Sequence, residues 1–272
     1  MQAIRPTLEA DEAANSLMYG LALRLQRNPE RIKIPPYFAV VRGAGGPEAA
    51  AMMTPPHNLV VMTADGGPAE GAFEKIARDL ERDRWPVPGV IGPNQPALGF
   101  AGVWQHLTGR RYTLGVHERI YRLTQVIPPV QPPGRMRLAE PHEEDLVADW
   151  IYEFHLEAVP NEPTSFTDVR ESARIKLADQ DLYFWEDGQQ VALAGRSRPT
   201  PHGYCIGPVY TPKAFRRKGY ATALTAALSQ VLLDFGKRFT ALFTDLSNPV
   251  SNSIYQKIGY QPVCDFDLYR FG

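Results

Sequence analysis

The sequence contains only two cysteines, and no excess of charge of either sign. Cys205 and Cys264 stand far apart, and neither falls in a CxxC pair or at a Cys/His ligand spacing. That excludes a disulfide framework and a structural zinc site, and leaves two thiols of a reducing compartment. A formal net charge of -1 gives no global pull toward nucleic acid or a membrane surface, so any basic site must be local. No apolar run approaches the roughly 20 residues of a membrane span. The first residues carry acidic side chains where a signal peptide is basic, so a soluble helix and a cytoplasmic location are expected. None of the six histidines sits in an HExxH pattern, and His142 and His155 have unsuitable spacing, so no metal is expected. The Walker spacing and the G-x-G-x-x-G fingerprint are both missing.

What remains is an ordinary globular composition, 44% hydrophobic and 22% charged over 272 residues. That length fits two domains. The stretch "VIPPVQPPG" at 126–134 reads as a semi-rigid linker, because proline removes backbone donors and favours extended geometry. The expected division is 1–127, a linker at 128–134, and 135–272.

Both parts read as mixed α and β. In the first, a helix is expected over 8–27, and strands at "YFAVVRG" and "NLVVMTA". A helix with Phe73, Ile76, Ala77 and Leu80 at helical spacing follows, then a short strand "VPGVIG", a helix around "ALGFAGVWQHLTG", and two strands within 110–126. In the second part, "RMRLAE" reads as a strand and 143–158 as an amphipathic helix. The next helix has Asp168 as cap and Glu171 three residues on. A hairpin turns at Asp187-Gly188. The strand "GYCIGPVYT" stops at Pro212 and leads into a helix over 219–235. "FTALFTDL" is a strand, 249–259 a short helix with Gly259 at its C-terminal end, and "YQPVCDFDLYRF" the last strand or strands.

The chemistry concentrates after Pro212. Lys213, Arg216, Arg217 and Lys218 precede a helix whose opening residues include the small Gly219 and Ala221. Unpaired first-turn amides and the helix dipole form an anion site, and small residues let a bulky ligand reach the backbone. Arginine and lysine add charge and fork-shaped donors. The combination suits a pyrophosphate. A plain solvated basic turn is the competing reading.

These residues resemble the acetyl-CoA-binding motif of the GNAT-type N-acetyltransferases, [R/Q]-x-x-G-x-[G/A]. Arg216, Gly219 and Ala221 fill it, with Arg217, Lys218 and Tyr220 at the variable positions. A second segment resembles the family's N-x-x-[S/A]-x-x-x-Y-x-K-x-G-[F/Y], filled by Asn248, Ser251, Tyr255, Lys257, Gly259 and Tyr260. The resemblance covers roughly 135–272 and implies an α/β fold of the GNAT type, an α+β mixed sheet. It implies acetyl-CoA (or CoA) as cosubstrate. Val209, Tyr210 and Thr211 would offer backbone groups to the pantetheine arm, and amides of 217–221 would hold the pyrophosphate. Asn248, with Ser251, would lie at the pantetheine, and Tyr255 near the sulfur as proton donor.

Each role has a structural competitor. Tyr255 also fits as a packing aromatic between Ile254 and Ile258, and Asn248 before Pro249 also fits as a helix cap. The base is open among Glu157, Glu153 and a water chain, both carboxylates also fitting as solvated helix residues. Cys205 lacks a histidine partner and is not expected to act as a nucleophile.

The helix–strand–helix at about 69–109 echoes the one at 219–258, which suggests a degenerate GNAT-like copy in the first half. Its helix opens on Glu70 without an arginine, so no acetyl-CoA is expected there; a separate small-ligand module is the alternative. The whole reads as an N-acetyltransferase for a small-molecule or peptide amine, a monomer or homodimer without nucleic-acid or membrane partners. A non-catalytic CoA-binding sensor or scaffold is the rival.

Overall fold

The structure is a computed structural model that describes residues 2–158 and 164–272. The first half of the chain forms α1 (Arg5–Ala10), α2 (Ser16–Arg27), β1 (Tyr37–Gly43), β2 (Gly46–Met53), β3 (Leu59–Thr63), α3 (Glu70–Arg82), β4 (Gly89–Pro93), α4 (Asn94–Thr108) and β5 (Tyr112–Leu123). The second forms β6 (Arg135–Leu138), α5 (Glu144–Ala158), α6 (Phe166–Ala178), β7 (Leu182–Glu186), β8 (Gln190–Ser197), β9 (Gly203–Tyr210), α7 (Tyr220–Asp234), β10 (Phe239–Asp245), α8 (Pro249–Lys257) and β11 (Gln261–Phe271). After β6, the second half repeats the element order of the first.

All strands join one eleven-stranded sheet in the order β1-β2-β3-β4-β11-β5-β10-β9-β8-β7-β6. Among the described residues, only β3–β4 and β9–β10 are parallel. The last strand of each half crosses over: β11 lies between β4 and β5, and β5 lies between β11 and β10. Each half thus lends the other a central strand, and their backbone hydrogen bonds interlock. The proline-rich segment joins them and is pinned at both ends, by Ile127 N–H to Ile258 O at 2.9 Å and by Trp185 Nε1 to Pro133 O at 2.8 Å.

Strand alternation sorts the helices onto two faces. Ala49, Ala51, Met53 and Val61 pack under α3 and α4, whereas Ala50, Met52, Val60 and Met62 pack under α1 and α2. Leu182, Phe184 and Leu193 meet α5 and α6, whereas Ala192, Ala194 and Ile206 meet α7. Ala13, between α1 and α2, reaches Cys205 and Ala241 in the second half. Helices α1, α2, α5 and α6 therefore share one face, and α3, α4, α7 and α8 the other. Ion pairs join the halves on the first face: Arg31 to Asp179 at 2.8 Å and Lys33 to Glu171 at 2.9 Å.

Four local expectations need correction. The single helix over 8–27 is two helices. Asp11 leaves helical geometry and its carboxylate caps Ala14 N–H at 3.1 Å, while the buried Glu12 turns inward to His202. The strand β2 went unread because "GPEAAAMM" lacks β-branched residues; small alanines serve here, buried on both faces between β1 and β3. Residues 112–123 form one strand rather than two, since β10 and β11 together pair its whole length. Ser165, not Asp168, precedes the first turn of α6, and Glu171 binds Lys33 instead of closing a capping box.

Candidate active site

The parallel pair β9–β10 is joined only at its start, at Gly203, Tyr204 and Cys205 against Phe239, Thr240 and Ala241. Beyond Cys205 the two strands part. On its other side β9 shifts register against β8 across Gly207-Pro208, and Pro208 has no N–H to return to the ladder. Helices α7 and α8 follow β9 and β10, so both begin at the carboxyl edge of this opening, where parallel strands commonly bind ligands.

The basic turn lies at that edge. A short helical turn at Lys213–Phe215 leads into Arg217 at φ +64° and Gly219 at φ +85°. Gly219 takes a left-handed conformation that glycine adopts without steric cost, and a Cβ there would meet nothing within 4 Å. Among the described residues no side chain caps α7, so its first-turn amides keep their donors. Arg217 and Lys218 are exposed, and among the described residues neither forms an ion pair; Lys218 Nζ lies 5.8 Å from the Phe215 ring centroid. Arg216 is already engaged. It donates to Thr211 O at 2.8 Å and to Glu157 at 2.7 Å, with its guanidinium 5.8 Å from the Tyr210 ring centroid.

The other predicted residues divide between open and occupied groups. Thr211 Oγ1 is buried and has no hydrogen-bond partner among the described residues. Val209 pairs with Ala194 of β8. The Tyr210 hydroxyl donates to Glu153 at 2.6 Å, and its pKa is pushed up to about 12, first by burial and then by that bond. The Tyr220 side chain turns into the core and donates to Asp187 of the β7–β8 turn at 2.6 Å, so only its backbone can face a ligand. Ala221 is half-buried on the second residue of α7. Both base candidates have partners: Glu153 holds Tyr210, and Glu157 holds Arg216 with Lys213 at 4.0 Å.

On α8, Asn248 is the cap, its Oδ1 accepting from Ser251 N–H at 3.1 Å. Tyr255 packs against the cluster of Tyr121, Leu242, Ile258 and Tyr260, with its ring 6.0 Å from that of Tyr260. Its hydroxyl has no hydrogen-bond partner among the described residues, and burial pushes its pKa up to about 12. Below it, Tyr260 is held by Ser229 at 2.9 Å and Thr240 at 2.8 Å. Sequence reasoning missed three positioning groups. Tyr121 of β5 donates to Asn252 at 3.1 Å and accepts from Gln256 at 3.2 Å, while Asn252 also donates to Asp245 O at 2.9 Å. Asn252 and Gln256 occupy the unspecified positions of the motif, and Tyr121 comes from the other half, so no local signal marks them.

The corresponding place in the first half differs. Phe73 of α3 and Phe100 of α4 are fully buried with centroids 5.7 Å apart, and they fill the space between those helices and the sheet. A cavity of about 740 Å³ lies outside them, lined by Glu70, Glu74 and Arg78 among others. Its size does not make it a phosphate site, because Glu70 opens α3 with a negative charge and Arg78 is bound to Glu74 at 2.6 Å.

Residues 185–268 match the family model described as FR47-like protein, a span that runs from β7 into β11 and holds the whole opening. None of the curated proteins compared with this chain matches it. Solved structures align over nearly its full length. A GCN5-related N-acetyltransferase from Sphaerobacter thermophilus has a TM-score of 0.63 at 18% identity, covering 99% of this chain and 93% of that one. A GCN5-related N-acetyltransferase from Kribbella flavida has 0.58 at 15%, covering 93% and 95%. An acetyltransferase of the GNAT family from Colwellia psychrerythraea has 0.57 at 11%, also covering 93% and 95%. The fold is therefore that of the GNAT acetyltransferases, as the two motifs implied, and it extends over both halves of this chain.

Proposed function

We propose that this chain binds acetyl-CoA at the carboxyl edge of the β9–β10 pair and transfers the acetyl group to a primary amine. The observation that carries the reading is the coincidence of parted strands, an uncapped α7 and a basic turn closed by a left-handed Gly219. Amides of 217–221 would receive the pyrophosphate, with Arg217 and Lys218 free to neutralise it. Arg216 is better suited to position the turn, since it braces Thr211 and α5. The unpartnered Thr211 Oγ1 and the backbone of Val209 and Tyr210 would line the pantetheine arm.

In the reaction the amine nitrogen forms a bond to the acetyl carbon, the carbon–sulfur bond breaks, the sulfur leaves as thiolate, and the nitrogen loses a proton. Tyr255 supplies a hydroxyl for the departing sulfur. A phenol near 12 keeps its proton at neutral pH and is a weaker acid than a thiol, the cysteine side chain titrating at about 8.5. Full transfer from Tyr255 is therefore uphill, and its contribution is a hydrogen bond that stabilises the developing thiolate. Because Glu153 and Glu157 are both engaged, the base reading shifts toward water. The same engagement favours the second reading, a CoA-binding sensor without turnover. The test is release of free thiol from acetyl-CoA against a panel of primary amines. Amine-dependent release supports transfer; CoA binding with no release from any amine supports the sensor.

A further inference from the structure

On the face opposite α7 and α8, Arg198 lies over the parted strands, and Arg24 and Lys176 are near enough to feel its charge. Arg198 follows β8 at φ +48°, a left-handed conformation that arginine adopts only when its surroundings hold it there. Gly20 of α2 abuts it closely: a Cβ on Gly20 would lie 2.6 Å from Arg198 Cβ. The Arg198 guanidinium crosses β9 and sits 4.5 Å from the ring centroid of Phe243 on β10, two residues past the last β9–β10 pair. Arg24 lies one helical turn beyond Gly20, on the same side of α2. Lys176 approaches from α6, where the Arg31–Asp179 ion pair ties that helix to the segment after α2.

The nearby carboxylates Asp179 and Asp181 offset the charge of Lys176 in part, but each is bound to another arginine. Asp179 is taken by Arg31, and Asp181 by Arg196 at 2.8 Å. Among the described residues, the side chains of Arg24, Lys176 and Arg198 form no ion pair and donate no hydrogen bond. Desolvation is the first cause that lowers the pKa of Lys176 and of Arg24; at Lys176 the Asp181 carboxylate opposes it while Arg24 and Arg198 add to it, and at Arg24 the charges of Arg198 and Arg31 add to it. Arg24 is exposed and Lys176 and Arg198 are half-buried, so their mutual repulsion is only partly screened by water, and a bound anion would relieve it.

We propose that the amine accepted by this protein carries an anionic group, a carboxylate or a phosphate, held by Arg24, Lys176 and Arg198. This inference rests on the acetyl-transfer reading for the word amine, but the anion site stands on its own geometry. Arg198 on Phe243 would fix the anion over the opening between β9 and β10, and direct the amine end toward the thioester. Lysine offers point charge and arginine a planar fork, so the cluster serves either a carboxylate or a phosphate.

The experiment has two arms. In the first, thiol release from acetyl-CoA is measured with matched amines that differ only in bearing a carboxylate, a phosphate monoester or a neutral carboxamide. The wild type is expected to prefer an anionic amine over the carboxamide by at least roughly tenfold in kcat/KM, with the preferred member naming the anion. Arg198→Met and Lys176→Met are expected to collapse that ratio toward one. Equal rates for charged and neutral amines, or a ratio that persists in both variants, overturns the proposal. In the second arm, thermal unfolding is followed with rising inorganic phosphate at constant ionic strength, with and without CoA to fill the basic turn. A stabilisation present in the wild type and in Lys218→Met but lost in Lys176→Met supports the anion site even if no amine is acetylated. Identical phosphate responses in all three proteins overturn it.

Discussion

The Tyr121 hydroxyl of β5 donates to Asn252 of α8 at 3.1 Å, so a strand of the first half positions the helix that carries Tyr255. The exchange of β5 and β11 thus has a consequence at the site. Tyr121→Phe is expected to cost about 1 kcal/mol of stability, the ordinary net value of a hydrogen bond. It should also lower kcat by roughly tenfold through a displaced α8, with acetyl-CoA affinity little changed. Denaturant titration with steady-state kinetics and a CoA binding curve separates the two effects.

Tyr255→Phe keeps the ring in its cluster and removes only the hydroxyl. CoA affinity is expected to hold while kcat falls by roughly tenfold to a hundredfold. Because the phenol titrates near 12, the wild-type rate should show no alkaline loss attributable to Tyr255 below about pH 11. A pH–rate profile of both proteins checks this.

Stability should fall at alkaline pH. Tyr19, Tyr210, Tyr255 and Tyr269 are all pushed up to about 12, burial being the first cause for each, against about 10 in an unfolded chain. Above pH 10 the folded protein binds more protons than the unfolded one, so the stability these phenols contribute is complete below pH 10 and is lost as pH rises toward 12. Unfolding free energy measured across that window, alongside phenolate absorbance, should show the decline. A flat profile would contradict the burial assignments.

The ion-paired entrance to α5 makes a separate prediction. Glu143 is buried, bound by Arg137 at 2.7 Å, and that guanidinium holds its pKa down to about 2. Arg137→Met leaves Glu143 without its cation and is expected to destabilise the fold by about 3–5 kcal/mol. In the wild type this contribution is present above pH 4.5 and lost as pH falls toward 2. Chemical denaturation of both proteins at neutral and acidic pH tests it.

The strands rich in Val, Ile and aromatic residues, and the amphipathic helices such as α3, were legible because their pattern is local. The alanine-rich β2 was not, since nothing in "GPEAAAMM" distinguishes a close-packed interior strand from a loop or helix. The crossing of β5 and β11 was hidden for a different reason: strand partnership is set by contacts more than a hundred residues apart. At the site, both motifs were legible because each is contiguous. The engagement of Arg216 with Glu157, and of Tyr220 with Asp187, was not, because sequence names a residue without saying where its side chain goes. The cluster of Arg24, Lys176 and Arg198 draws on both halves and left no trace in either.

Calorimetric titration of acetyl-CoA into the wild type and Gly219→Glu tests the central claim most directly. The wild type should bind one acetyl-CoA per chain. The variant places a carboxylate at the open, left-handed position that begins α7, and should bind at least tenfold more weakly, a loss of about 1.4 kcal/mol or more. Unchanged affinity in Gly219→Glu, or two sites per chain, would contradict the assignment of this turn as the acetyl-CoA site.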